Sequence, residues 1–492
     1  MTTAAAVVLD GETLSLPTLE RIAAGGIAVS LSPAAHARIQ AGRAVVEDMV
    51  ARKVPAYGIT TGFGSQKDYA LAEHELIEFN RRVIVGHSTF APGEAASIEA
   101  VRTALAIQLN LYATGRSGVR PELVEVLLLR LNAGLVPSVV TGSSVGASDI
   151  VSLSQMALPL LGLNGPGENS DGPIVPGGLA AKEAMSLMNS NTLTLAEAAV
   201  ALIEARRLLT AFDKGAALSL EGLRGNPYAW GEAVDRAHPQ AGQQTAGKHL
   251  RCLLAGSRLW TAGESRFLQD PLSFRCVPQI HGAAYATLTW AEGILETELN
   301  ASVDNPTVDI AAGVTVSHGN MESTLLAVAL DALRLALAKL CQASGERIHK
   351  LQWPGFSGLP TGLAATPGAI GGVQFLNLGH IAAAKVANVT HHAAPASILY
   401  HGQICDGVED VGGLAPQAVH ATRRLIEDAW VIATLETAIA AWAIDLRGLA
   451  TDVLGEGLRE TQDALRPMLP IGQEGMAPFD LRPMVAFLQN RA

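Results

Sequence analysis

The sequence is short of charge and of aromatic side chains. Of its 492 residues only 16% are charged and 4% are aromatic, whereas 49% are hydrophobic. Disordered chains combine low hydrophobicity with high charge, so this composition excludes a disordered protein. The 46 acidic residues outnumber the 35 basic ones and give a net charge of −11. This acidity, with no strong basic run, argues against a nucleic-acid-binding protein.

Clean apolar runs, an export signal and cysteine motifs are also missing. The longest apolar stretches, such as 323–340, carry charges at helical spacing, so we predict amphipathic helices and no membrane span. The first residues, MTTAAAVVLDGETLSL, have no basic segment of the kind that begins a signal peptide. The cysteines form no CxxC motif, so we predict reduced thiols in a cytoplasmic protein; they are Cys252, Cys276, Cys341 and Cys405.

Alanine, leucine and valine supply most of the apolar content, which favours packed helices over sheets. Apolar residues recur at i, i+3, i+4 and i+7 in four long stretches, 192–212, 281–300, 321–348 and 417–446. We predict a mainly α fold, an elongated bundle of long helices over 191–492 that is continuous with a mixed N-terminal region over 1–190. Short strands are predicted at 27–31 and within 307–317. So little charge also suggests that helices bury faces against other subunits.

Polar residues and glycines concentrate in a few connections between the helices, where chemistry is most often found. These connections are 57–68, 140–155, 266–282, 298–309 and 402–413. No metal site is predicted, because the neighbouring His391 and His392 come without an HxxxH or CxxC pattern.

The motifs in these connections occur in a recognisable order. YGxxTGFG, SSVGAS, QDPxSxRCxPQxHG, DNP and ED follow one another from about Tyr57 to about Gly413. In this respect the chain resembles the histidine/aromatic amino-acid ammonia-lyase family. The resemblance implies a homotetramer of long helices, with active sites assembled from more than one subunit. It also implies elimination of ammonia across the α,β-bond of an amino acid by an electrophilic methylidene-imidazolone, which forms by cyclisation of an Ala-Ser-Gly tripeptide.

The chain departs from the family at this tripeptide, where it reads Ala147-Ser148-Asp149, and the segment from Ser148 to Met156 is one residue shorter than in the family. Cyclisation needs the nitrogen after the serine to attack the alanine carbonyl from a compressed turn. Glycine permits that turn, whereas the Cβ of Asp149 resists it. We therefore predict an uncyclised segment and no cofactor, with Ser148 or Asp149 as the N-cap of a helix.

Other departures change the pocket that the family would use. The family's tyrosine in QDPYSxRC is Leu272 here, and its Asn-Gly-Thr-Gln segment is Asn189-Ser190-Asn191-Thr192. Lys385 stands in an alanine-rich helix face, where a lysine is costly unless it is paired or used. A free amine leaves poorly at neutral pH, but a quaternary ammonium leaves as a neutral trialkylamine and needs no electrophile. The chain thus looks like the ergothionase subgroup, which eliminates trimethylamine from ergothioneine.

The resemblance also implies roles for individual residues. Tyr57 would take the β-proton, while Glu409 and Lys385 would hold and polarise an imidazole-type ring. Arg275 would bind the substrate carboxylate, for which a guanidinium is suited. The other substrate-binding candidates are Asn189, Asn305, Thr61 and His87.

Two other functions stay open at this point. In the first, the chain is a conventional histidine or aromatic ammonia-lyase in which Ala147-Ser148-Asp149 still cyclises. In the second, the chain is a non-catalytic oligomer that keeps the scaffold for binding or regulation. The presence of Tyr57, Arg275 and Glu409 in three separate connections favours an enzyme.

Overall fold

The computed structural model of the chain describes residues 6–168, 171–365, 374–470 and 478–491. The fold is mainly α, as predicted. The helices, in chain order, are α1 Leu16–Ala23, α2 Pro33–Ala51, α3 Leu76–His87, α4 Ile98–Ala113, α5 Pro121–Asn132, α6 Ile150–Ala157, α7 Glu183–Met188, α8 Thr192–Leu223, α9 Glu232–Ala237, α10 Ala241–Leu253, α11 Leu272–Arg275, α12 Val277–Leu299, α13 Thr324–Gln352, α14 Pro354–Ser357, α15 Gln374–His392, α16 Ala415–Leu446, α17 Glu456–Leu465 and α18 Arg482–Arg491.

The four long helices that the apolar periodicity predicts are all present as α8, α12, α13 and α16. Alanine and leucine favour the helical backbone, and their buried stripes supply the packing that stabilises it. Shorter helices begin at recognisable caps. Ser32 accepts a hydrogen bond from the Ala35 amide before Pro33, and Ser97 does the same for Ala100.

Two small sheets are present, and three of their four strands lie at 27–31 and within 307–317, as predicted, whereas the first strand was not predicted. Strand β1, Val7–Leu9, pairs in parallel with β2, Val29–Leu31. Strand β3, Thr307–Asp309, forms an antiparallel hairpin with β4, Val314–Val316. This hairpin directly follows Asn305, so it fixes one end of the DNP connection.

The chain divides into two compact units, each built from segments that are distant in sequence. The first unit contains Met1–Ile203, Glu292–Ala329 and Pro395–His420. The second unit contains Glu204–Ala291, Leu330–Ala394 and Ala421–Ala492. Four of the five polar connections fall in the first unit, which is therefore where we look for the site.

The second unit has an ion pair in its interior. Arg347 on α13 and Glu436 on α16 are both fully buried, and the guanidinium donates to both carboxylate oxygens, at 2.5 and 2.9 Å. The hydroxyls of Ser219 and Ser344 also donate to the carboxylate. Complete hydrogen bonding of this kind is what makes a buried charge pair tolerable.

One helix corrects the sequence-based statement that no stretch could span a bilayer. Among the described residues, Ala415–Leu446 is long and apolar enough by length and composition. However, 83% of its most apolar window is buried inside the structure. Core helices of soluble proteins pass the same test, so this helix is weak evidence for a membrane protein.

Candidate active site

A cavity of about 410 Å³ lies in the first unit. Its walls come from the connections that the sequence singles out, together with the residues around α7. The lining residues are Tyr57, Phe63, Gly64, Ser65, Gln66, His87, Ser143, Ser144, Val145, Ala147, Ser148, Ile150, Val151, Met185, Met188, Asn189, Ile404, Cys405 and Glu409. Chemistry-bearing residues that are far apart in sequence thus share one cavity, which is the default position for an active site.

Tyr57 reaches the cavity from the glycine-rich loop before α3. Its phenol oxygen accepts a hydrogen bond from the Gly64 amide at 3.1 Å. Gly64 has φ +57°, a conformation that a glycine adopts without strain. An amide donor at this position would stabilise negative charge on the phenol oxygen, which base chemistry requires.

The turn over Gly146–Asp149 places Ser148 in the cavity wall. Ser148 has φ +79°, which is uncommon for a residue with a side chain. Its amide donates to Asn191 Oδ1 at 3.0 Å and its hydroxyl donates to Asn189 Oδ1 at 2.6 Å. These two bonds hold the strained residue, as expected where the surroundings determine an unfavourable backbone conformation.

Asp149 anchors the same turn from the inside. It occupies the N-cap position of α6, as predicted, but its side chain caps a different helix. Its carboxylate accepts from the amide and the hydroxyl of Thr194, in the first turn of α8, at 2.8 and 2.7 Å. Its own amide donates to the Ser190 carbonyl at 2.8 Å.

These contacts do not fit a methylidene-imidazolone. Cyclisation would need the Asp149 nitrogen to bond to the carbonyl carbon of Ala147, but this nitrogen is engaged with Ser190. The Asp149 side chain is 2% exposed and bonded to Thr194, so the turn has little freedom to compress. In this turn the Asp149 nitrogen and side chain both have partners other than Ala147.

Burial raises the pKa of Asp149 above its ordinary value of 3.8, against the opposing effect of the hydrogen bonds from Thr194. The folded state then binds a proton more tightly than the unfolded state, so this group lowers stability as pH rises above about 3.8. We expect Asp149→Asn, which removes the charge and keeps an acceptor, to gain stability relative to the parent as pH increases from 4 to 7. Urea unfolding midpoints across this range measure the difference; a constant or shrinking difference would contradict the assignment.

Asn189 connects the turn to the DNP connection. While its amide oxygen accepts from Ser148, its amide nitrogen donates to the Asn305 carbonyl at 2.9 Å. The Asn305 side-chain oxygen in turn accepts from the His318 amide at 2.8 Å. Asn189 thus lines the cavity. Asn305 does not line the cavity, but its carbonyl holds the Asn189 side chain in position.

Glu409 enters the cavity from a tight turn over 404–409. Ile404 and Glu409 pair through their backbones, and the Cys405 thiol donates to Glu409 Oε1 at 3.4 Å. Burial and the neighbouring carboxylate of Glu409 raise the pKa of Cys405, so the group stays a thiol and keeps its proton for this bond. The turn packs against the loop segment Gly64–Gln66 that follows Phe63.

His87 lies at the end of α3 beside Phe63. Its Nδ1 donates to the Val83 carbonyl at 2.8 Å, since a carbonyl can only accept. The imidazole and the Phe63 ring lie 5.7 Å apart between centroids. Thr61, by contrast, turns its hydroxyl to the Ala56 and Gly62 carbonyls and does not line the cavity.

Two of the predicted site residues belong to the second unit. Arg275 ends α11, and its Nη1 and Nη2 lie 2.6 and 2.9 Å from the side-chain amide of Gln269, whose oxygen accepts both bonds. Lys385 on α15 is not buried as the sequence suggested, because 32% of its side chain is exposed. Its ammonium pairs with Asp428 at 2.5 Å, which supplies the partner that an alanine-rich face requires.

The sequence missed several residues that shape this cavity. Phe63, Met185, Met188 and Cys405 line it, and Thr194 anchors its floor through Asp149. Phe63 lies within a quoted motif and was recoverable from it. Cys405 likewise lies in the 402–413 connection, whereas Met185, Met188 and Thr194 carry no local signal, since only the fold brings them to the cavity. Within the described part of the chain, no group of three or more His, Cys, Asp or Glu side chains could hold a metal ion.

Comparisons with known proteins give the family. The model of the aromatic amino acid lyase family matches residues 14–467. The histidine ammonia-lyase of Anaeromyxobacter dehalogenans is 33% identical over 462 residues, covering 90% of each chain. The crystal structure of the ergothionase of Treponema denticola, an ergothioneine-degrading enzyme in complex with desmethyl-ergothioneine sulfonic acid, aligns with a TM-score of 0.92 at 29% identity, over 99% of both chains.

A second solved structure, the histidine ammonia-lyase of Trypanosoma cruzi, aligns with a TM-score of 0.87 at 30% identity, over 99% of this chain and 94% of the other. The family model covers most of the chain, and the relatives share the fold along nearly its whole length. The chain therefore belongs to the histidine/aromatic amino acid lyase family and is a carbon–nitrogen lyase.

Proposed function

We propose that the chain eliminates trimethylamine from ergothioneine, or from a closely related histidine betaine, without a methylidene-imidazolone. The observation that carries the proposal is the turn at Asp149. Its amide donates to the Ser190 carbonyl, so the nitrogen that cyclisation would use has another partner, and its carboxylate accepts from the amide and hydroxyl of Thr194 on α8. An enzyme of this family without the electrophile needs a substrate whose amine leaves unaided.

A quaternary ammonium meets this need. It departs as a neutral amine with the bonding electron pair, and it has no lone pair with which to attack an electrophile. In the proposed step Tyr57 accepts the β-proton, the C–H electron pair forms the new double bond, and the bond from the α-carbon to nitrogen breaks. The products are trimethylamine and an α,β-unsaturated acid.

The cavity chemistry supports a cationic substrate. Among the described residues that line the cavity, Glu409 is the only one with a carboxylate, and none is Lys or Arg. A carboxylate can accept a ring N–H and attracts positive charge. The wall therefore suits an imidazole-type ring joined to an ammonium group, and it offers no cation for the substrate carboxylate.

Arg275 and Lys385 complete the proposed machinery. Arg275 would bind the substrate carboxylate in a bidentate contact, and Lys385 with Glu409 would polarise the ring as the β-proton leaves. Both cations belong to the second unit. In line with the family resemblance, the proposal includes a homotetramer in which more than one subunit contributes to each site.

The surface of the single chain supports such an assembly. Large apolar side chains are open to solvent, among them Leu268 at 96%, Tyr400 at 87% and Ile398 at 80% exposure. Exposed apolar side chains of this size are typical of subunit interfaces. Analytical ultracentrifugation should give four times the 51.2 kDa chain mass. A cytoplasmic location is part of the same proposal, since all four cysteines are free.

The role of Lys385 can be separated from its ion pair. We expect Lys385→Met to lower kcat/KM for ergothioneine by about a hundredfold, because proton-transfer groups contribute on this order. Lys385→Arg keeps the charge and a contact to Asp428, and should recover part of the loss. Steady-state kinetics on both variants test this. If Lys385→Met is as active as the parent, Lys385 has no role in catalysis and only forms an ion pair with Asp428.

A conventional ammonia-lyase is the second candidate, favoured by the names of relatives such as the Anaeromyxobacter enzyme. The deciding experiment incubates the purified protein with ergothioneine, with histidine and with phenylalanine, and measures trimethylamine and ammonia. Our proposal predicts trimethylamine from ergothioneine and no ammonia from either amino acid. Ammonia from histidine or phenylalanine would replace the proposal with the second candidate, and no amine from any substrate, betaines included, would favour a non-catalytic scaffold.

A further inference from the structure

The glycine-rich loop before α3 presents one aromatic ring, that of Phe63, to the cavity. Two neighbouring rings fix the orientation of Phe63. Phe63 lines the cavity and packs edge-to-face against Phe79 at 6.1 Å between centroids. The centroid of the Phe63 ring also lies 5.7 Å from the centroid of the His87 imidazole. Phe79 itself does not line the cavity. The Phe63 ring is thus both oriented and available to a ligand.

This ring lies next to the reacting atoms that Tyr57 would address. The phenol oxygen of Tyr57 is 3.1 Å from the amide nitrogen of Gly64, the residue that follows Phe63. In the elimination the base acts at the β-carbon and the leaving nitrogen is on the adjacent carbon. The ammonium group is then attached one carbon away from the atom on which Tyr57 acts, inside the cavity that Phe63 also lines.

We propose that the face of Phe63 binds the trialkylammonium group of the substrate by a cation–π interaction, which makes Phe63 a specificity-determining residue. This inference rests on the proposed function and names how the same cavity recognises the leaving group. A quaternary ammonium cannot donate a hydrogen bond, so it cannot be held by amide or hydroxyl acceptors as a primary ammonium can. Aromatic faces are the protein groups that bind such cations.

The remaining walls are consistent with this assignment. Met185 and Met188 also line the cavity and present polarisable, uncharged side chains that methyl groups can pack against. Glu409 lies on the 404–409 turn, where we assign it to the substrate ring. Of the aromatic rings that line the cavity, Tyr57 is assigned to the β-proton and His87 is bonded to the Val83 carbonyl, which leaves the Phe63 ring for the cation.

The test is a fluorination series at position 63, with ergothioneine as the ligand. Replacing Phe63 by 4-fluoro-, 3,5-difluoro- and 3,4,5-trifluorophenylalanine removes electron density from the ring face with little change in shape. We expect the calorimetric Kd for ergothioneine to rise with each fluorine. Phe63→Leu, which removes the ring face, should raise it by about 3- to 30-fold. The same series at Phe79 is the matched control and should leave the Kd unchanged.

Two outcomes would overturn the inference: a Kd that is independent of fluorination at Phe63, or an equal rise when Phe79 is fluorinated. The second result would mean that ring packing within the loop, and not contact with the cation, sets the affinity. All variants in the series carry Tyr57→Phe, which removes the proposed base and slows turnover, so the Kd reports binding and not catalysis. Failure of the proposed function appears separately, as an absence of trimethylamine release by the parent protein.

Discussion

Tyr57→Phe is expected to lower kcat for trimethylamine release by about 10²- to 10⁴-fold, the usual contribution of a positioned base. Removing one oxygen leaves the ring and the loop packing in place, so KM for ergothioneine should change by much less. The variant also removes the acceptor of the Gly64 amide. This contact is only half-buried, so water can replace the lost hydrogen bond. Stopped-time assays of trimethylamine over a range of substrate concentrations separate the two parameters.

The matched control for this variant is Tyr69→Phe. Tyr69 directly follows the connection that contains Tyr57, but its side chain is 64% exposed and does not line the cavity. Removing the phenol oxygen of Tyr69 should leave kcat unchanged. If Tyr57→Phe retains more than about a tenth of the parent kcat, another group removes the β-proton and the assignment of the base is wrong.

The largest effect on stability is expected at the buried ion pair of the second unit. Glu436→Ala should lower the free energy of unfolding by about 3–5 kcal/mol, because it leaves the Arg347 charge buried without its carboxylate partner. Ser219 and Ser344 would lose an acceptor at the same time. Guanidinium or thermal unfolding of the purified protein measures the change.

Glu427→Ala provides the comparison on the same helix. Glu427 pairs with Arg424 at 3.3 Å, but its side chain is 55% exposed. Exposed pairs contribute at most about 1 kcal/mol, so this variant should unfold close to the parent. Similar losses in the two variants would show that burial of the Arg347–Glu436 pair does not determine its importance.

Much of the fold is readable from the sequence because its signals are local. The 3.6-residue periodicity predicts α8, α12, α13 and α16, and the predicted strand stretches 27–31 and 307–317 contain β2, β3 and β4. The cavity walls that bear motifs, at Tyr57, Ser148 and Glu409, are likewise found in the connections that the sequence marks. The sequence could not supply the pairing of segments that are far apart along the chain.

Asp149 illustrates that limit. Its position before α6 is visible in the sequence, but its acceptor role depends on Thr194, which is 45 residues away on another helix. For Lys385 the sequence-based prediction was wrong. The alanine-rich context suggested burial, whereas the side chain is partly exposed in the single chain and paired with Asp428. In both residues the partner is set by tertiary packing, which local composition does not encode.

The central claim is that the Ala147-Ser148-Asp149 turn stays uncyclised in a working lyase of this family. The most direct measurement is the mass of the proteolytic peptide that spans Val140–Gln155, taken from enzyme preparations that release trimethylamine. A histidine ammonia-lyase that contains the cyclised group, digested in parallel, shows that the group survives the procedure. Our account predicts the unmodified peptide mass. A peptide lighter by two waters would contradict it, and would assign the chain to the conventional ammonia-lyases.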